Sequence, residues 1–222
     1  MRYDAYVAHT VLRLLLAVLF AGSAVAGFEP TLDRRLIDDA IAIGQSRIEA
    51  VRTRYHQPYR IQVARLPIDY IDIVTPFRRV ALLAEERARA GDRLFQREAI
   101  AASGDRSRLV EFLVEMTFHP LNVFIGVPAY DVELKAAASV TPIKPLQVSR
   151  IPRFGARIEG VPLPSPSPAA PNLPGGGQPL VGGTIAAGFG AGVLSPNGVY
   201  EVVVSEKGKE LARALVNLAV LR

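Results

Sequence analysis

Three groupings of side chains have the residue types that chemistry requires. The first lies in Glu115-Met-Thr-Phe-His119-Pro-Leu-Asn122. An imidazole moves protons near neutral pH, a carboxylate can fix its tautomer, and an amide can orient a substrate. His119, Glu115 and Asn122 are therefore the catalytic candidates, for a cofactor-independent hydrolase or isomerase. No serine, aspartate or second histidine stands in a recognisable relation to them, so a histidine closing a turn before proline is the simpler reading.

The second grouping is Asp69 and Asp72, which bracket Tyr70-Ile71. Two carboxylates with backbone carbonyls can bind Ca²⁺, or act as an acid–base pair when about 5–10 Å apart. These are the metal candidates. Strand alternation places residues three apart on opposite faces, which favours ion pairs to Arg78 or Arg79 instead. The third grouping is Arg150, Arg153 and Arg157, with no acid among them. They are the binding candidates, for an anionic envelope polymer or headgroup surface, against the alternative of a solvated loop.

His56 ends the first expected helix, where a histidine complements the helix dipole. Pairing it with His119 on a metal lacks a third ligand. The glycine runs near 175–177 and 188–192 lack both the Lys-Ser/Thr ending of a phosphate loop and the acidic partner of a dinucleotide motif. They are read as flexible backbone, and no cofactor is expected.

Composition narrows the classes. The 222 residues contain no cysteine, which excludes disulfide scaffolds, thiolate metal sites and thiol nucleophiles. Net charge is +5, and 22 of the 26 basic residues are Arg, interleaved with Asp and Glu rather than gathered in a stripe. Nucleic acid is accordingly not an expected partner. Residues 1–26 carry Arg2 and Arg13, a 13-residue apolar run from Leu14, and the small-residue ending Ala24-Val25-Ala26. That pattern predicts a cleavable signal peptide, too short for a span of about 20 residues, with a retained anchor as the alternative. An exported product of residues 27–222, periplasmic or extracellular and without a transmembrane segment, follows.

The elements that must position these groups are legible from periodicity. Leu32, Leu36, Ala40, Ile43, Ile48, Val51 and Tyr55 predict one amphipathic helix over 31–55. Thr75-Pro76 is a capped helix start, and the apolar spacing predicts a second helix over 75–102, with Gly91-Asp92 as its weak point. Residues 60–74 read as extended on either side of Pro67. Val110, Phe112, Val114, Met116 and Phe118 then alternate with a mixed second face, predicting a central strand. Further strands are expected near 130–135, 146–151, 181–189 and 199–205. Residues 209–222 suit a hairpin strand through Glu206-Lys207-Gly208 better than a helix. Seven of the 17 prolines fall in 161–179, which predicts a mobile loop inside a single domain.

Helices first and strands after predict an α+β domain, a β-sandwich of six or seven short strands with two N-terminal helices. Gly198-Val-Tyr200-Glu-Val-Val-Val204 resembles the late strand of immunoglobulin-like sandwiches, where Gly-x-Tyr precedes alternating apolar residues. The resemblance spans seven residues, lacks the cysteines, and bears on fold alone. The expected function is a non-catalytic binding or structural protein of the bacterial cell envelope or exterior. Its partner would be an envelope polymer, a glycan or an exported protein. The alternatives are the His119-centred enzyme and an assembly subunit docking through the 31–55 helix.

Overall fold

The computed structural model describes residues 27–119, 121–136, 139, 141–155 and 179–222. The expected signal peptide, Arg157 and nearly all of the 161–179 loop lie outside the described residues. Among the described residues there are four α-helices: α1 (Arg34–Gly44), α2 (Glu49–His56), α3 (Pro76–Arg89) and α4 (Gln96–Ser103). None is long and apolar enough to cross a membrane. Eight strands follow the order β1 (Arg60–Arg65), β2 (Ile68–Val74), β3 (Leu109–Thr117), β4 (Asp131–Ala136), β5 (Gln147–Phe154), β6 (Leu180–Gly190), β7 (Val199–Glu206) and β8 (Lys209–Asn217). The fold is α+β.

All strand pairs are antiparallel, in sheets of order β1-β2-β3-β6-β5 and β4-β7-β8. β3 is the middle strand of the larger sheet, as its two-sided apolar pattern requires. The alternating residues Phe112, Val114 and Met116 of β3, Ile185 and Phe189 of β6, Val202 and Val204 of β7, and Val216 of β8 close one buried core. The residues from Lys209 onward are strand, paired along β7 from Glu206↔Lys209 to Val199↔Asn217. β5 is an outer strand exposed on both faces, and its ladder with β6 continues past Pro152.

Both long helices expected from the sequence are broken. α1 begins at Asp33, whose Oδ1 accepts from the Leu36 N–H at 2.8 Å, and it ends at Gly44. There α1 crosses α3 so closely that a Cβ on Gly44 would lie 2.1 Å from the Ala81 carbonyl oxygen. The chain turns away, and α2 buries none of its residues, leaving Ile48 and Val51 exposed. The apolar spacing had run across a corner. In the second case Gly91, at φ +77°, ends α3, and Leu94 is buried while Phe95 is exposed. The Thr75 cap holds, accepting from the Arg78 N–H at 3.2 Å with Pro76 behind it.

A second core, Ile37, Ala40, Phe77, Val80, Ala81, Ala84, Leu94 and Ala99, lies among the helices. The apolar face of α1 is thus covered by α3 within the same chain. Tyr55 packs against both cores. The final residues stitch the two units together. The Tyr59 hydroxyl donates to the Arg222 carbonyl at 2.7 Å and accepts from the Arg222 N–H at 2.9 Å. The Thr75 hydroxyl donates to that same carbonyl at 2.6 Å.

Candidate functional site

The sequence-derived candidates are separated by the fold. His119 is exposed just beyond β3, and its Nδ1 accepts from the Leu121 N–H at 3.1 Å. Its carbonyl accepts from both the backbone and the side-chain amide of Asn122, and Asn122 also donates to the Leu180 carbonyl at 3.1 Å. This is a turn closed by its own asparagine. The Glu115 carboxylate is engaged elsewhere, accepting from the Thr184 hydroxyl at 2.8 Å and lying 3.5 Å from Arg153 Nη1. No hydrogen bond joins it to His119 among the described residues.

Asp69 and Asp72 do part to different partners. Asp69 accepts from the Thr117 hydroxyl at 2.7 Å, and Asp72 pairs with Arg78 at 2.9 Å. Among the described residues no group of three or more His, Asp or Glu converges to hold a metal. Arg153 leaves the expected basic patch and reaches across the sheet to β3, donating to the Met116 carbonyl at 2.8 Å. Gly182 makes that crossing possible, because a Cβ there would meet Arg153 Nη2 at 2.5 Å. Arg150, three residues away on the same strand, remains exposed. What the fold does assemble from these candidates is a row of cross-strand polar contacts: Asp69, Thr117, Arg153, Glu115 and Thr184.

A different cluster forms where helices meet sheet. α2 supplies Arg52 and His56, one turn apart. α3 supplies Arg78, Glu85 and Arg89 at intervals of seven and four, which is one helical face. Asp72 comes from β2 and Arg60 from β1. Arg78, only 4% exposed, is the centre. It donates from Nη1 to Asp72 and to the Ile73 carbonyl, and from Nε to His56 Nδ1 at 3.3 Å. Its guanidinium also stacks on the Tyr59 ring, 4.6 Å from the centroid.

A guanidinium can only donate, so His56 Nδ1 is an acceptor and the ring proton sits on Nε2. That proton is donated to Glu85 Oε2 at 3.1 Å. Burial first, and then the Arg78 charge, push the imidazole below its ordinary value of 6.5, despite Glu85 beside it. Glu85 is further held by Arg89 at 2.8 Å and Arg52 at 3.3 Å. The floor of this site is a closed chain from Asp72 through Arg78 and His56 to Glu85, with every charge opposed.

Above that floor opens a cleft of about 680 Å³. Arg60 and Arg89 stand at its mouth, 49% and 76% exposed, and Arg52 lines its wall. Arg60 touches only the edge of the network, at 3.9 Å from Asp72, with its plane over the Tyr70 ring at 4.3 Å. Arg52 is held against that wall, its Nε facing Glu85 Oε1 at 3.3 Å and its Nη1 donating to the Ser46 carbonyl. The cleft therefore offers N–H donors of Arg60 and Arg89 to an incoming acceptor, while Asp72, Glu85 and the imidazole beneath them are already bonded and Glu49 adds an exposed carboxylate to the lining.

Sequence reasoning placed His56 at a helix end but missed its partners. The signal was present in weak form, as Arg52 and His56 four apart on one helix and Glu85 and Arg89 four apart on another. No protein-family model, curated protein or solved structure matches the chain.

Proposed function

We propose that the chain is an exported, non-catalytic binding protein of the bacterial cell envelope or exterior. Its ligand is an anionic polymer or glycan bearing carboxylate, sulfate or phosphate groups. The observation that carries this reading is the cleft of Arg52, Arg60 and Arg89 over a floor whose carboxylates and imidazole nitrogens are all engaged. Glu85 accepts on both oxygens and the His56 Nδ1 lone pair is taken by Arg78, so the imidazole of this site is not free to accept a proton from a substrate. Guanidinium groups that keep unused donors, by contrast, suit charge-assisted bonds to oxyanions. The export half of the proposal rests on the charged start, apolar run and Ala24-Val25-Ala26 ending of residues 1–26.

The architecture we propose is sandwich-like, with the shared core lying between the two sheets. The immunoglobulin-like comparison draws support from Tyr200 near the start of β7. Its hydroxyl accepts from the Ser195 N–H at 2.7 Å, five residues upstream, as a tyrosine corner does. Gly198 is fitted to that corner, since a Cβ there would lie 2.5 Å from the Tyr200 ring.

The test is titration of the chain with acidic and neutral polysaccharide fragments, read by thermal unfolding. An acidic fragment at about one hundred times its Kd adds about 2.7 kcal/mol and shifts the midpoint by a few degrees. Arg60→Ala combined with Arg89→Ala should weaken that binding about tenfold or more, given about 1.5 kcal/mol or more for a hydrogen bond to a charged group. Equal shifts with neutral fragments, or none with acidic ones, would discard the reading.

A further inference from the structure

Two faces of α3 border open space. Arg78, Leu82, Glu85 and Arg89 look into the cleft, whereas Pro76 and Val80, half a turn round the helix, line a separate cavity of about 380 Å³. The two openings share no lining residue. A cavity of that size falls at the small end of the range that holds ligands, about 300–1,000 Å³.

The floor of this cavity belongs to the helical core. Ile37 of α1 and Val80 of α3 are 7% and 2% exposed, and Pro76 is buried beside them. Leu32, ahead of α1, and Ile100 of α4 extend the apolar surface upward. Ile100 lines the cavity yet is 52% exposed, so its side chain waits for cover at the mouth. The chain leaves α4 at Gly104, whose φ of +44° suits glycine, and the short turn Gly104–Arg108 then brings Ser107 and Arg108 to the same opening.

Arg108 is the one charged side chain of the lining. Among the described residues no ion pair engages its guanidinium. Glu111 of β3 is taken by Arg79 at 2.8 Å and lies 3.9 Å from Arg106. Glu29 and Asp33 line a different depression together with Arg35. Asp105 is exposed in the same turn as Arg108 and is not paired with it. These neighbouring charges nearly balance, so recognition here rests on direct contact with the guanidinium and not on a long-range field. The Ser103 hydroxyl already donates to the Ala99 carbonyl at 2.8 Å, while among the described residues the Ser107 hydroxyl has no protein partner.

We propose that this cavity binds a small amphipathic monocarboxylic acid of the medium-chain fatty acid class. Its tail lies against Leu32, Ile37, Val80 and Ile100, and its carboxylate meets Arg108 with the Ser107 hydroxyl donating beside it. A guanidinium fork matches one carboxylate with two parallel bonds. The tail removes the half-covered Ile100 from water. A polar body, or a second charge, would find no partner on the apolar floor.

The experiment is isothermal titration of the chain with butyrate, hexanoate and octanoate, with octanol as the uncharged control. Affinity should rise about fourfold for each added methylene. Octanol should bind about tenfold or more weakly than octanoate. Arg108→Gln, at an exposed position, should lose about tenfold or more in octanoate affinity while keeping its far-UV circular dichroism and thermal midpoint. Absence of octanoate binding in the wild type would overturn the proposal, as would equal binding by Arg108→Gln. Affinity independent of chain length, or equal for octanol, would do the same. Loss of octanoate binding in Arg60→Ala/Arg89→Ala and not in Arg108→Gln would place the acid in the cleft, which also overturns it. The cleft's own ligand is tested with polysaccharide fragments, so either reading can fail without the other.

Discussion

Arg78 shows how much one side chain can organise. Its nearly complete burial leaves Asp72, His56, the Ile73 carbonyl and the Tyr59 ring all dependent on it. Arg78→Met fills similar space but strands the half-buried Asp72. Urea denaturation should show a loss of roughly 3–5 kcal/mol, the usual cost of breaking one half of a buried pair. His56 predicts a pH dependence of definite sign. Its folded value lies below the ordinary 6.5, so the unfolded chain binds more protons as pH falls past that point. The stability tied to neutral His56 is complete above pH 6.5 and is lost as pH drops through the lower folded value. Unfolding free energies between about pH 7 and 5 should fall more steeply for wild type than for His56→Gln, so their difference narrows in acid. Local sequence revealed only the Asp72–Arg78 pair of this cluster. Arg52, His56, Arg78, Glu85 and Asp72 come from three elements, and only tertiary packing brings them together. His119 was conspicuous by residue type, yet its partners turn out to be its own neighbours in the chain.

At the scale of elements, the strands were largely legible and the helices less so. β3 announces itself because five alternating apolar residues admit few other conformations, and its two-sided pattern places it centrally. The corner between α1 and α2 was hidden because Ile48 and Val51 continue the helical spacing into a segment that buries neither. What ends α1 is a contact with α3, through a glycine whose missing side chain is its function. Replacing Gly44 by Ala would gain about 1 kcal/mol of helix propensity in isolation. Set against a Cβ 2.1 Å from a backbone oxygen, that gain is outweighed. Gly44→Ala should lower the thermal midpoint, corresponding to a net loss of about 1–3 kcal/mol by overpacking. An unchanged or raised midpoint would show that α1 can slide on α3.

For the molecule as a whole, the helical core and the sheet core meet at Tyr55 and at the backbone of Arg222. Tyr59→Phe keeps the ring but removes the hydroxyl that donates to Arg222 and meets Tyr55 at 3.1 Å. The carbonyl of Arg222 keeps Thr75, while its N–H loses its partner. A cost of about 1–3 kcal/mol is expected in chemical denaturation. Circular dichroism of the helices and tyrosine fluorescence should still report one shared transition, since Tyr55 remains wedged between the cores. This junction was not readable in advance, because it joins residues 59 and 222.

Pro152 bears on how the protein behaves when crowded. The β5–β6 ladder continues past it although proline has no N–H to give, so its nitrogen faces away from β6. Among the described residues no strand pairs with the other side of β5, and that edge lacks a donor at its middle. A strand that is solvent-exposed on both faces would otherwise be a template for stacking chain upon chain. A single ring closure there favours dispersed molecules over fibres, independently of anything the cleft binds.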